Sequence, residues 1–207
     1  RAGRGPREGK TTVALNLALV LTQARKRVLL VDSDLRRPRL HSALGLQPEK
    51  GLSNLLSGDE RIEPLIVQDE MTGLFVLASG PTPPNPSELL DSDEFRSLVR
   101  QLAADPRFDH VIFDSPPVLV ATDSLIMGQV LEAVVMVVRA GVTSRKGLAQ
   151  SVDKLRRARV RLLGAVLNSS DPSTLAGYYN AYYRSRDEVR EDRPVVVLEP
   201  SGTDRSS

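Results

Sequence analysis

The 207-residue sequence predicts an α/β fold, with a mostly parallel sheet, helices on both of its faces and a flexible C-terminal tail. Three observations carry that expectation. Short runs of Val, Ile and Leu alternate with longer stretches of helical periodicity, the pattern of strand–helix repeats. The runs are continuous rather than alternating, which suits strands buried on both faces. Two of them stop at aspartate, and the chain opens on a glycine-bearing turn that leads into an apolar helix.

Each element follows in order. Behind Gly9-Lys10-Thr11, residues 13–21 make a helix that ends near Arg25-Lys26-Arg27. Residues 28–31 form a strand stopped by Asp32, Ser33 and Asp34. Short helices are expected around 38–44 and 52–56, then a strand over 74–78. The stretch from Gly80 to Pro86 is an irregular loop, because proline has no N–H to give to a ladder. Ser87 is placed to cap the next helix, and 91–104 is helical. A strand over 111–113 is closed by Asp114 and two prolines. A helix over 123–130, a strand over 133–138, a basic amphipathic helix over 144–157 and a strand over 160–167 complete the series, ending at Asn168. Past residue 171 the chain is polar and without apolar periodicity, and 184–207 reads as mostly disordered. The division is therefore a domain over 1–171 and a tail over 172–207.

Composition excludes several classes. With 28 basic and 26 acidic residues the net charge is +2, too balanced to indicate a nucleic-acid partner. There is no cysteine, hence no disulfide scaffold or thiol chemistry, in keeping with a cytosolic setting. The longest apolar run, 133–138, falls far short of the roughly 18 residues of a membrane helix, and no signal peptide is visible. His41 and His110 have no neighbours at metal-ligand spacing. The basic clusters at Arg36-Arg37-Pro38-Arg39 and 154–161 read most simply as solvated faces, although Arg36, two residues past Asp34, is within reach of the same strand end.

Glu8-Gly9-Lys10-Thr11-Thr12 supplies the second half of a phosphate-binding loop. Backbone N–H groups and a helix N-terminus meet the anion, the lysine reaches the outer phosphates, and the hydroxyl serves Mg²⁺. The first glycine of that motif would stand at position 4, which is Arg4; Gly5-Pro6 is the substitute entry turn. Such a loop ordinarily follows a buried strand. No strand precedes it in this sequence, which reads as a piece of a longer chain. Asp32, Asp34 and Asp114 stand at strand ends, the edge where ligands sit in open parallel sheets. Turn-forming or capping roles are the plainer alternative, but a Mg²⁺–nucleotide site in a P-loop NTPase-like fold accounts better for acids at one shared edge. Asp32 and Asp34, two apart, are expected to leave the same face. Asn168-Ser169-Ser170-Asp171 has the outline of a guanine-reading N-K-x-D, but Ser169 replaces the lysine. Asn168 is left to adenine or to a turn. All four tyrosines, Tyr178, Tyr179, Tyr182 and Tyr183, fall in the polar segment after the last strand. They suit phosphate acceptors if the domain transfers phosphate to protein; a sticky patch or a stacking platform are the alternatives.

Taken together, the Gly5–Thr12 turn, Val28-Leu-Leu-Val-Asp-Ser-Asp-Leu-Arg-Arg-Pro38, Val111-Ile-Phe-Asp-Ser-Pro-Pro117, Pro84-Asn-Pro-Ser-Glu-Leu-Leu90 and the tyrosine cluster resemble the bacterial protein-tyrosine kinases of capsule and exopolysaccharide synthesis. The resemblance runs from about Gly5 to Tyr183. It implies ATP and Mg²⁺ as cofactors and autophosphorylation of the tail tyrosines, in trans between subunits of a homo-oligomer. Gly5, Glu8, Gly9, Lys10, Thr11, Thr12 and Asn168 would hold the nucleotide, and Thr11, Asp34 and Asp114 the metal. Lys10, Asp32, Asp34 and Asp114 would be catalytic, with Asp32 the base toward tyrosine. It further implies a cytoplasmic site of action at the inner face of the membrane, through an upstream segment or a membrane activator of polysaccharide export. Arg7, where many relatives carry glycine, and Ala78, where proline often stands, depart from the pattern. The subunit-contact motif expected upstream of the loop is absent. A partitioning or cell-division-positioning ATPase, or a nucleotide-binding regulatory module without kinase activity, are the competing readings.

Overall fold

A computed structural model describes residues 8–168 of the chain. Gly5, Arg7 and the four tyrosines lie outside the described residues, as does the expected disorder over 184–207.

Helix α1 (Lys10–Gln23) is followed by strand β1 (Val28–Asp32), short helices α2 (Leu40–Ala43) and α3 (Leu52–Leu56), a single 3₁₀ turn, and strands β2 (Ile66–Gln68) and β3 (Phe75–Leu77). Helices α4 (Pro86–Leu90) and α5 (Asp93–Ala104) lead to β4 (His110–Asp114). Then come α6 (Asp123–Val130), β5 (Val134–Arg139), α7 (Arg145–Arg157) and β6 (Leu162–Asn168). The expected mostly parallel sheet is present as two pieces. One has the order β2-β3-β1-β4, and the other pairs β5 with β6. Among the described strands only β2 runs antiparallel, along β3.

Strand β1 explains the architecture. All five of its residues are buried, and alternate side chains leave opposite faces. Leu29 and Val31 join a core with Phe95, Leu98 and Leu102 of α5, Leu52 and Leu56 of α3, and Met127 of α6. Val28 and Leu30 join a second core with Ala18 of α1, Leu40 and Val76. Helices therefore cover both faces, and a strand sandwiched in this way must be apolar throughout.

Three local expectations need correction. Strand β2 was not foreseen, because three residues behind Pro64 are too short to show periodicity. The helix expected over 91–104 begins at Asp93, with Ser92 as its cap accepting from the Phe95 N–H at 3.2 Å. Ser87 does not cap: Asn85 occupies the cap position of α4, Pro86 its first turn, and the Ser87 hydroxyl is engaged elsewhere.

Strands β4 and β5 each pair on one side only among the described residues. Between them lies a cavity of about 540 Å³, lined largely by apolar side chains such as Val111, Phe113, Val135 and Val137. No described helix is long and apolar enough to cross a membrane.

Candidate active site

Gly9 caps α1 in the left-handed region at φ 84°, a conformation that glycine adopts at little cost. Its carbonyl accepts the first helical bond from the Val13 N–H at 2.9 Å. An added Cβ would fall 2.2 Å from Asn168 Nδ2, so a side chain here would be strained by the backbone conformation and would also displace that amide. The start of α1 presents its unbonded N–H groups at this turn, the physical basis of anion binding at helix N-termini. Lys10 lies at the same turn, its ammonium 3.4 Å from Glu8 Oε2. Thr12 is exposed, whereas Thr11 is partly buried, and its hydroxyl favours the ionised form of the Asp114 carboxylate.

Parallel pairing of β1 with β4 puts Asp32 directly opposite Asp114. The two acids, 82 residues apart in sequence, therefore share one sheet edge. Ser33 secures the junction: its N–H and its hydroxyl both donate to the Asp114 carbonyl, at 2.9 and 2.5 Å. Asp32 is 0% exposed and Asp114 4%. Burial pushes the Asp32 carboxyl up from an ordinary 3.8 to about 6, against the opposing pull of N–H groups of Leu40, Arg39 and Asp34. Burial likewise pushes Asp114 up to about 6, countered by the Thr11 hydroxyl and the Lys10 charge and reinforced by repulsion from Asp32 and Asp34.

Only one oxygen of Asp32 is satisfied by hydrogen bonds. Oδ2 accepts from the Arg39 and Leu40 N–H groups at 3.2 and 3.0 Å, whereas the buried Oδ1 has no hydrogen-bond partner among the described residues. A buried, unpaired carboxylate oxygen is costly unless a proton, water or cation meets it. Asp34 lies beyond the end of β1, so strand alternation does not set its direction. It is half-buried in the following turn, where Oδ1 accepts from the Arg37 N–H at 3.0 Å.

The donors at this edge are all oxygens, which suits a hard divalent cation. Among the described residues no three acidic, histidine or cysteine side chains are grouped to hold a metal. The acids therefore do not form a closed cage. That fits Mg²⁺, which takes one or two carboxylates and completes its shell with water and phosphate.

Asn168, at the end of β6, donates from Nδ2 to the Glu8 carbonyl at 2.9 Å. Its side chain thus braces the entry of the turn. One residue to which sequence reasoning gave no role pairs with two that it did single out, Arg36 and Ser87. Asp123, at the first position of α6, is 0% exposed and accepts from Arg36 Nε at 2.7 Å and from the Ser87 hydroxyl at 2.7 Å. An aspartate opening a helix is ordinary, and only its burial and its pairing with Arg36 and Ser87 set this one apart.

Known proteins resemble this chain in sequence and fold. The family model described as an AAA domain matches residues 7–166. The tyrosine-protein kinase YwqD of Bacillus subtilis is 39% identical over 186 residues, covering 90% of this chain and 77% of that protein. The tyrosine-protein kinase Ptk of Acinetobacter johnsonii is 40% identical over 177 residues, 86% of this chain but 24% of its own length. The chain thus spans about a quarter of one of these relatives and about three quarters of the other. Among solved structures, the kinase domain of Escherichia coli Etk superposes with a TM-score of 0.75 at 37% identity. That match covers 79% of this chain and 63% of the Etk chain. The Pyrococcus furiosus cell-division ATPase MinD is more distant, at 26% identity and a TM-score of 0.64 over 82% of this chain and 71% of its own. On this likeness the chain belongs to the bacterial tyrosine-protein kinase family, on a P-loop NTPase-like fold.

Proposed function

We propose that the chain transfers the terminal phosphoryl group of ATP to tyrosine hydroxyls, with Tyr178, Tyr179, Tyr182 and Tyr183 of its own tail as acceptors. The observation that carries this reading is the shared edge: Asp32 and Asp114 in register, with the Thr11 hydroxyl and the Lys10 charge, both at the start of α1, acting on Asp114. Lys10 and the N–H groups of α1 neutralise the phosphates. Gly5, Glu8, Gly9, Thr11 and Thr12 shape the cradle, and Asn168 serves it by bracing the Glu8 carbonyl. Thr11, Asp34 and Asp114 would hold Mg²⁺, which supplies charge neutralisation on the transferred group.

Asp32 is the acceptor for the tyrosine proton. Its carboxyl, raised to about 6 by burial, is still ionised near pH 7 and is more basic than an exposed aspartate, as a general base requires. Phosphoryl transfer needs little covalent help from the protein, so positioning and charge account for most of the work. In the cell the reading extends to regulation of capsule or exopolysaccharide polymerisation and export. There the chain would act in trans within a homo-oligomer, at the inner face of the membrane, through an upstream segment or an activator protein. The family resemblance supports that extension.

Incubation with Mg²⁺-ATP tests the reading. Phosphate should appear on the tail tyrosines, Lys10→Met should abolish it, and changing all four tyrosines to phenylalanine should remove the acceptors while preserving ATP binding. The likeness to MinD favours one second reading, a positioning ATPase. ATP hydrolysis with no phosphotyrosine would select it, and binding without turnover would select a regulatory module.

A further inference from the structure

Arg36, Asp123 and Ser87 bring together three segments that are distant in sequence. Arg36 sits in the turn after β1, two residues past Asp34. Ser87 lies in α4, at the end of the proline-rich loop, and Asp123 opens α6 beyond the Asp114-Ser115-Pro116-Pro117 turn. Arg36 reaches both carboxylate oxygens of Asp123, Nε to Oδ2 at 2.7 Å and Nη2 to Oδ1 at 3.2 Å. Its Nη2 also donates to the Ser87 hydroxyl at 2.7 Å. That hydroxyl in turn donates to Asp123 Oδ1 at 2.7 Å. Each polar group has its partner, and the triangle is closed.

Its setting separates it from an ordinary surface ion pair. The Asp123 side chain is fully buried, where an unpaired carboxylate would be strongly unfavourable. The fork geometry of the guanidinium fixes direction as well as charge. Although burial works against ionisation of Asp123, Arg36 and Ser87 hold its carboxyl below the ordinary value, so it remains an anion around neutrality. The Arg36 guanidinium also senses the charge of Asp34. The neighbouring Ser124 hydroxyl donates to the Pro116 carbonyl, which ties the start of α6 to the turn that leaves Asp114.

We propose that Arg36, Asp123 and Ser87 are positioning residues that hold the Asp34 turn and the Asp114 turn in fixed relation, and so set the metal-binding geometry of the site. None of the three is assigned to the reacting atoms. They act through Asp34 and Asp114, and Ser87 makes the proline-rich loop a third support of the same geometry. The inference rests on the phosphotransfer reading for its catalytic consequence, and on nucleotide binding alone for its structural one.

The test uses the full chain with Ser87→Ala, Ser87→Thr, Asp123→Asn and Arg36→Lys. A displacement of catalytic groups on the order of 1 Å can cost about 100-fold in rate. Asp123→Asn and Arg36→Lys should therefore lower kcat by about 10- to 100-fold, and Ser87→Ala by about 10-fold. The KM for ATP should stay within about twofold, since the helix start and Lys10 are untouched. The Mg²⁺ concentration for half-maximal rate should rise in all three, while Ser87→Thr, which keeps the hydroxyl, should restore the wild-type value. A lowered melting temperature with unchanged kcat and Mg²⁺ dependence per folded molecule would overturn the proposal and leave a structural tie only. If the wild type transfers no phosphate, the functional reading fails by itself. The network is then decided by the Mg²⁺ dependence of binding of a fluorescent ATP analogue, which must weaken in Ser87→Ala and recover in Ser87→Thr.

Discussion

Asp32→Asn isolates the electrostatic cost of the site. In the folded chain the carboxylate is buried, Oδ2 holds two backbone N–H groups and Oδ1 has no hydrogen-bond partner among the described residues. Asparagine retains an oxygen for those N–H groups and removes the charge. An elevation from 3.8 to about 6 corresponds to about 3 kcal/mol against the ionised form. The sign follows from proton binding. Between pH 4 and 6 the unfolded chain has released the proton and the folded chain has not, so wild-type stability falls as pH rises, and the loss is complete above about 6. At pH 8 the variant should therefore be more stable by up to about 3 kcal/mol, a rise in melting temperature on the order of 5–10 °C for a domain of this size. At pH 4 most of that gain should be gone, and near pH 3, where both states carry the proton, it should shrink toward zero. Thermal unfolding followed by circular dichroism at several pH values, without nucleotide, measures it. A variant no more stable than wild type at pH 8, or a gain of equal size at pH 8 and pH 3, would refute the account of Asp32 as a buried, strained anion.

Three further substitutions probe other parts of the fold. Gly9→Ala places a methyl group 2.2 Å from Asn168 Nδ2 on a left-handed backbone. It should cost about 1–3 kcal/mol and abolish ATP binding, read by titration with a fluorescent analogue. Gly51→Ala would drive a Cβ to 2.2 Å from the Ala78 carbonyl oxygen and 2.4 Å from the Gly80 nitrogen. It should lengthen the Leu52-to-Ala78 and Ser53-to-Ser79 backbone bonds and destabilise by about 1–3 kcal/mol, with faster amide exchange at Leu52 and Ser53 as the signature. Phe95→Ala removes a fully buried ring in edge contact with Phe113, centroids 6.0 Å apart. Urea unfolding should show a loss of about 3–5 kcal/mol.

What the sequence discloses depends on how sharply chemistry restricts residue type. Gly9, Lys10 and Thr11 stand out in the sequence because the phosphate-turn pattern admits few alternatives, and Asp32 and Asp114 because a buried strand rarely ends in an acid. The register that sets those two acids side by side is a tertiary fact, reached only through the rule that ligands gather at carboxyl edges. Asp34 shows the limit of that rule: period-two reasoning was carried one turn past the end of β1, where it no longer applies. Strand β2 was invisible because Ile66, Val67 and Gln68 are held by pairing with β3 rather than by their own propensity. Ser87 and Ser92 exchanged roles because both precede acidic helical residues, and only the approach of Asp123, 36 residues away, draws Ser87 aside. Arg36 was noted for its nearness to Asp34, but its partner lies 87 positions on, and nothing local signals such a pair.

The hydrogen bond from Asn168 to the Glu8 carbonyl joins the two ends of the described chain. Mechanically it is a short tether between the exit of the last strand and the entry of the first helix. Asn168 is also the last paired residue of β6, its carbonyl accepting from the Ala140 N–H at 2.9 Å, so a pull on the polypeptide beyond residue 168 loads this tether together with the sheet edge. Such a pull is thereby felt at the turn that opens α1 as well as at the end of β6.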